Sequence, residues 1–124
     1  MKKLKSLSVF FPVYNEEANL EIILKQALKI VPKLATKYEL LVINDGSTDA
    51  SLEIVEKLQK QNPQVKLVSH QKNKGYGEVL KTGIKNSQCE WIFWTDSDLQ
   101  FDVSELAHFI AETDHYQAII GYRA

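Results

Sequence analysis

One stretch, Trp91-Ile92-Phe93-Trp94-Thr95-Asp96-Ser97-Asp98-Leu99-Gln100, restricts the fold more than any other part of the chain. It opens with bulky, mostly apolar side chains on both faces of an extended segment, which a strand can bury only inside a sheet covered on both sides. The run then breaks at once into two acids at i and i+2 and an amide at i+4. Covered parallel sheets bind ligands just beyond the carboxyl ends of their strands, and Asp96, Asp98 and Gln100 stand at such an end. Hard oxygen donors with no His or Cys among them suit Mg²⁺ or Mn²⁺ rather than zinc. A cation held by two or three protein oxygens keeps open positions that a diphosphate can fill. Asp-x-Asp is common, however, and a solvated turn with an Asp capping the next helix fits it equally well.

The rest of the chain repeats the pattern of an apolar strand followed by polar residues and a helix. Ser6 to Val13 is β-rich and uncharged, with its end punctuated by Pro12, where a ladder donor is missing. Asn15 can cap the first helix, with Glu16 and Glu17 in a favourable first turn. Leu20, Ile23, Leu24, Ala27, Leu28 and Val31 then form a helical stripe expected to stop at Pro32. Tyr38 to Ile43 reads as a second buried strand, ending in Asn44-Asp45-Gly46-Ser47-Thr48-Asp49. Ser47, Thr48 or Asp49 can cap a second helix carrying Leu52, Val55 and Leu58. Gln64 to Ser69 is a shorter third strand, followed by the loop Asn73-Lys74-Gly75-Tyr76-Gly77. Glu78 to Ser87 is a third helix, in which Gly83 costs propensity and is best explained by close packing on the sheet. After the fourth strand, Asp102 and Glu105 are spaced as a capping box, with Phe101 and Leu106 as its hydrophobic staple. A fourth helix buries Val103, Leu106, Ala107 and Ile110, and Tyr116 to Ile120 is expected as a fifth strand.

This order predicts an α/β fold: an open, mainly parallel, Rossmann-like sheet with helices on both faces. In a half with strand order 3-2-1-4, the ends of strands one and four lie side by side. Pro12, Val13 and Tyr14 then share a rim with Asp96 and Asp98, and Asp45 is the next neighbour. A nucleoside diphosphate fits that rim, base and ribose towards strands one and two, phosphates towards strand four. There is no Gly-x-Gly-x-x-Gly after strand one and no Gly-x-x-x-x-Gly-Lys, which removes support from dinucleotide and P-loop readings.

Composition excludes several classes. With 124 residues, 44% of them hydrophobic, the chain is one globular domain or a large piece of one. A net charge of -1 leaves no electrostatic footprint for nucleic acid. The basic N-terminus is followed by an apolar run too short for a signal peptide or a membrane span. Cys89 is the single cysteine, so no internal disulfide forms, and an inert thiol at a strand edge in a reducing cytoplasm is the expectation.

Four motifs taken together resemble the family 2 glycosyltransferases, inverting enzymes of GT-A type that use nucleotide-activated sugars. They are Phe11-Pro12-Val13-Tyr14-Asn15-Glu16-Glu17, Asn44-Asp45-Gly46-Ser47-Thr48-Asp49, Asn73-Lys74-Gly75-Tyr76-Gly77 with Gly83, and Asp96-Ser97-Asp98-Leu99-Gln100. Their order and spacing cover nearly the whole chain. The Asp-x-Asp-x-Gln form and the Gly-Tyr-Gly turn look most like the branch that includes dolichol-phosphate mannosyltransferase and bacterial polyprenyl-phosphate glycosyltransferases.

The resemblance implies a nucleotide-diphosphate sugar as donor, and lipid-linked sugar or cell-envelope polysaccharide biosynthesis as the setting. It implies that Pro12, Tyr14 and Glu16 line the nucleoside pocket, Glu16 at the ribose, that Asp45 contacts the base, and that Asn73 belongs to the nucleotide site. Asp96 and Asp98 are implied to bind the diphosphate through Mg²⁺ or Mn²⁺, with Gln100 as a further ligand and Asp98 the residue of the chemistry. Arg123 is implied to meet the phosphate of a polyprenyl-phosphate acceptor. The family pattern continues beyond Gly121-Tyr122-Arg123 with a segment that builds the acceptor site and supplies a general base. Residues 1–124 therefore read as the donor-binding part, cut after the fifth strand and poorly active alone. A sheet edge left open there would favour homo-oligomers. The intact enzyme is expected in the cytoplasm, with the inner face of the membrane as a place of work.

Each of these residues also fits a purely structural role. Asp45 fits a helix-capping turn, Glu16 a favourable helix N-terminus, and Arg123 a solvated chain end. Trp91, Phe93 and Trp94 fit core packing in a central strand. His70, His108 and His115 fall in a loop, on a helix face and in a turn, outside ligand spacing of one another. A rival from another class is a receiver-like or nucleotide-sensing α/β module, where acids at strand ends also hold Mg²⁺. A receiver would place its acids after strands one and three, whereas strand three here runs into His70.

Overall fold

The computed structural model describes residues 3–96 and 105–117. Strands and helices alternate: β1 (Leu4–Val13), α1 (Glu17–Leu34), β2 (Ala35–Asp45), α2 (Ser51–Gln61), β3 (Val65–His70), α3 (Tyr76–Asn86), β4 (Trp91–Trp94) and α4 (Leu106–Ile110). The strands form a 4-stranded sheet in the order β3-β2-β1-β4, and every pairing is parallel. This is the doubly wound order expected from the sequence.

Alternation along β1 sorts the core into two layers. Leu7, Val9, Phe11 and Val13 point to one face, where Leu20, Ile23, Leu24, Ala27 and Val31 of α1, Val55 and Leu58 of α2 and Leu106 and Ile110 of α4 cover them. Phe10 points to the other, with Leu41 and Ile43 of β2 and Val79 of α3. Both central strands are thus apolar on both faces, as a parallel sheet requires. Complete burial of each such side chain is worth about 1.5–3 kcal/mol. Gly83 of α3 meets this second layer: a Cβ there would overlap the ring of Phe10. Its place in the helix is a matter of volume, since it lets α3 lie directly on β1.

Several details differ from the sequence expectations. Helix α1 runs through Pro32 to Leu34, because the proline falls in the last turn and the amide of Ala35 still bonds to the carbonyl of Val31. Strand β1 passes through Pro12 and ends at Val13, as the sequence predicts. Past Phe10, the last residue paired with β4, β1 is laddered to β2 alone, so a missing donor is tolerated. Asn15 does not cap α1; Glu16 holds that position, and no side chain caps the helix from it. Among the described residues, strand β4 pairs with β1 alone. Trp94 is 40% exposed and stacks on Phe10 at a centroid distance of 5.4 Å, while Trp91 and Phe93 pack on the α1 layer. Asp98, Gln100, Phe101, Asp102, Val103, residues 118–120 of the expected fifth strand and Arg123 lie outside the described residues.

Candidate functional site

The carboxyl ends of β1, β2 and β4 open onto a cavity of about 300 Å³, lined by Pro12, Val13, Tyr14, Glu16, Asp45, Asn73, Gly75, Tyr76, Val79 and Asp96. Pro12, Tyr14, Glu16, Asp45, Asn73 and Asp96, the described residues that the sequence assigns to nucleotide, all belong to this wall. The strand register explains the convergence. Pro12 and Val13 pair with Ile43 and Asn44, one step short of Asp45, and Asp45 pairs with His70 as each strand ends. Phe10 pairs with Trp94, two residues before Asp96.

The loops at this rim are locked together. After β1, the amide of Asn15 donates to Ser47 Oγ (3.0 Å), that of Glu16 to Ser51 Oγ (3.1 Å) and that of Glu17 to Asp49 Oδ2 (3.1 Å). In return Thr48 N–H donates to Asn15 Oδ1 (2.8 Å) and Ala50 N–H to Glu17 Oε2 (3.0 Å). Asp49 Oδ1 also accepts from Ser51 N–H (2.9 Å), so one carboxylate serves the starts of α1 and α2. Negative charge is stabilised where helix amides converge. Burial alone would raise the Asp49 carboxyl, but the bonds from Ser51 and Glu17 outweigh it and hold it below its ordinary value. Asn15 adopts φ 51°, a conformation that asparagine tolerates better than most residues. Much of the polar signature of these two loops is therefore spent on holding the rim in shape.

Asp45 is 4% exposed and is held by three donors. Its Oδ1 accepts from His70 Nδ1 (2.8 Å) and Lys74 N–H (2.9 Å), and its Oδ2 from Gly75 N–H (3.0 Å). Burial pushes this carboxyl up, yet the His70 and amide bonds prevail and keep it below the usual aspartate range. Since a carboxylate only accepts, Nδ1 carries a proton. The other ring nitrogen, Nε2, lies 2.8 Å from Thr82 Oγ1, which also reaches the carbonyl of Glu78 at 3.0 Å. Two glycines allow this loop to close. Gly46, at φ 74°, packs against the backbone of Lys72 and Asn73, and Gly75, at φ 95°, turns the chain so that two successive amides face Asp45.

Across the cavity, Tyr76 opens α3 beside Asp96. Burial, followed by the charge and hydrogen bond of Asp96, raises its phenol above the ordinary value against an opposing contact from Trp94. Among the described residues no group of three or more His, Cys, Asp or Glu side chains converges to hold a metal. Asp96 is the one expected cation ligand that is described, and its hard oxygen at the cavity mouth suits Mg²⁺ or Mn²⁺.

Sequence reasoning missed His70, which is the last residue of β3 and not a loop residue, with its side chain 8% exposed. Its signal was its position at a strand end, at the level where the neighbouring strand places an acid. Val79 was also missed as a wall residue, because helical spacing reports burial and not what lies beyond the buried face.

The family model described as Glycosyl transferase family 2 matches residues 8–123. The chain belongs to this family. It is 36% identical to an uncharacterized glycosyltransferase of Synechocystis sp., over 86% of the chain and 33% of that protein. It is 29% identical to the undecaprenyl-phosphate 4-deoxy-4-formamido-L-arabinose transferase of Photorhabdus laumondii, over 98% of the chain and 38% of the relative. Among solved structures, the 1-349 part of S. aureus TarS in complex with UDP-GlcNAc superposes with a TM-score of 0.73 at 30% identity, covering 89% of the chain and 32% of TarS. A mannosyltransferase from Pyrobaculum calidifontis in complex with GDP-Man and Mn²⁺ has a TM-score of 0.69 at 23% identity, over 82% of the chain and 30% of its own, and shares the fold. The family 2 chain thus has the GT-A fold, and it spans about a third of the length of the curated relatives it matches. No helix among its described residues is long and apolar enough to cross a membrane.

Proposed function

We propose that residues 1–124 are the donor-binding part of an inverting, metal-dependent glycosyltransferase that moves a sugar, of hexose type, from a nucleoside diphosphate to a polyprenyl phosphate. One observation carries the reading: residues from separate motifs, Pro12, Tyr14, Glu16, Asp45, Asn73 and Asp96, line a single cavity at the strand ends. Asp45 meets the base, Glu16 the ribose, and Tyr14 and Pro12 form the apolar wall beside them. Asp96, with Asp98 and Gln100, would hold a Mg²⁺ or Mn²⁺ ion beside the diphosphate. When bound, such an ion neutralises charge that develops on the leaving diphosphate.

In the transfer, an acceptor oxygen attacks the anomeric carbon from the side opposite the nucleotide. The bond from that carbon to the diphosphate oxygen breaks, and the nucleoside diphosphate leaves with the electron pair. A phosphate acceptor is already ionised, so it needs no proton removed, whereas an alcohol acceptor gains from a general base. Arg123 is assigned to the acceptor phosphate, and the name of the Photorhabdus relative supports an undecaprenyl-phosphate-type acceptor. The relatives are more than twice as long, which supports an acceptor side built by further chain and weak activity for residues 1–124 alone. Trp94, 40% exposed on a strand that pairs on one side only among the described residues, supports self-association of this part. We place the intact enzyme in the cytoplasm, at the inner face of the membrane.

Incubation of a labelled nucleotide sugar with polyprenyl phosphate, using this chain and a full-length protein that contains it, tests the proposal. Inverted product from the long form and little from the short one is expected. Equal activity of the two would refute the division of labour, and retained anomeric configuration would refute the direct displacement.

A further inference from the structure

We infer that His70 is a positioning residue of the base pocket: held between Thr82 and Asp45, it fixes the Asp45 carboxylate so that one acceptor position faces the cavity, and so favours a pyrimidine base over guanine. This rests on the donor-site reading above and goes further by naming the class of base and the residue that sets it.

A carboxylate offers about four acceptor positions. Three are occupied on Asp45, two on Oδ1 by His70 and Lys74 and one on Oδ2 by Gly75. Asp45 lines the cavity, so the remaining position on Oδ2 is what it presents there. A single acceptor matches an edge that brings one N–H to it, such as the imide of uracil or thymine or the amino group of cytosine. Guanine presents adjacent N1–H and N2–H donors that pair best with both oxygens of a free carboxylate, and Oδ1 is already filled. The second guanine donor would enter the cavity wall without a partner, which is where discrimination between polar edges arises.

His70 sets this count. It is the only side chain bonded to Asp45 among the described residues, the other two donors being amides of the β3–α3 loop. Its Nε2 contact with Thr82 ties that arrangement to α3. Loss of the Nδ1–H would vacate a position on Oδ1, free the carboxylate to rotate and open it to paired donors.

Two near-isosteric variants separate positioning from mere packing. In His70→Asn the carboxamide N–H replaces Nδ1–H and keeps Asp45 in place, whereas His70→Gln reaches towards Thr82 and abandons Asp45. UDP and GDP are titrated calorimetrically into the wild-type chain and both variants in Mn²⁺, with circular dichroism to verify folding. The expected result is tighter binding of UDP by wild type and His70→Asn. His70→Gln should weaken UDP about tenfold, as for loss of order in a bond to a charged group, and narrow its preference over GDP. Equal behaviour of the two variants, or a wild type that prefers GDP, would overturn the inference while leaving the donor site standing. A folded wild type that binds neither nucleotide would overturn the donor-site reading itself, and the inference with it.

Discussion

Replacing Asp45 by Asn turns one carboxylate oxygen into a donor and removes the charge, with almost no change in volume. The carboxamide oxygen can stay where Oδ1 is, between His70 and Lys74, but its NH₂ then faces the amide of Gly75, donor against donor, at the 3.0 Å that now separates acceptor and donor. One charge-assisted bond is lost, worth about 1.5–3 kcal/mol, and the other two fall to neutral strength, roughly half. Relief of a buried charge offsets part of this, leaving a loss of about 2–3 kcal/mol at pH 7. Urea unfolding of both proteins measures it. The pH dependence gives a second check. The Asp45 carboxyl is held below its ordinary 3.8 in the folded protein, so its stabilisation is fully present above that value and is lost as pH falls through the lower, folded one. The gap between wild type and Asp45→Asn should therefore close only in that acid range. A difference under about 0.5 kcal/mol at pH 7, or a gap unchanged by acid, would refute the claim that this carboxylate organises the loop.

Three further outcomes are expected from the same structure. Gly83→Ala gains about 1 kcal/mol of helix propensity but forces Phe10 to move at a cost of about 1–3 kcal/mol, so the melting temperature should fall by a few degrees, whereas an exposed helical glycine would give a rise. Asp49→Ala removes the acceptor for the amides of Ser51 and Glu17 and should cost about 1–2 kcal/mol in urea unfolding. Glu39, buried among Ser8, Lys66 and the amide of Gln88, is pushed up by burial but held below its ordinary 4.5 by those bonds, so Glu39→Gln should lessen the loss of stability as pH falls below that value, measured by thermal melts across an acid series.

The sheet order was legible because each strand is a short apolar run and each helix an amphipathic stripe, and right-handed crossovers leave few ways to assemble them. The part of the cavity wall formed by Pro12, Tyr14, Asp45 and Asp96 was legible for a related reason, since residues that follow an apolar strand at its carboxyl end face the same rim. Glu16 and Asn73, by contrast, were assigned only through the family resemblance. What the sequence did not display was partnership. Ser47 and Asp49 look like caps for their own helix, but they spend bonds on the backbone of Asn15 and Glu17, more than 30 residues away. His70 looked like a loop residue because strand ends are fixed by pairing with a neighbour, and the pairing with Asp45 is invisible locally. Trp91 to Trp94 reads as a central strand because bulky side chains alternate on both faces, and among the described residues it pairs with β1.

Calorimetric titration of the chain with UDP, GDP, CDP and dTDP, each with and without Mn²⁺, alongside Asp96→Asn and Asp98→Asn, tests the central claim most directly. Metal-dependent binding of one nucleotide, lost in both variants, is the predicted result. Binding that is indifferent to the metal and to both aspartates, or no binding by the folded chain, would contradict a donor site at the ends of β1, β2 and β4.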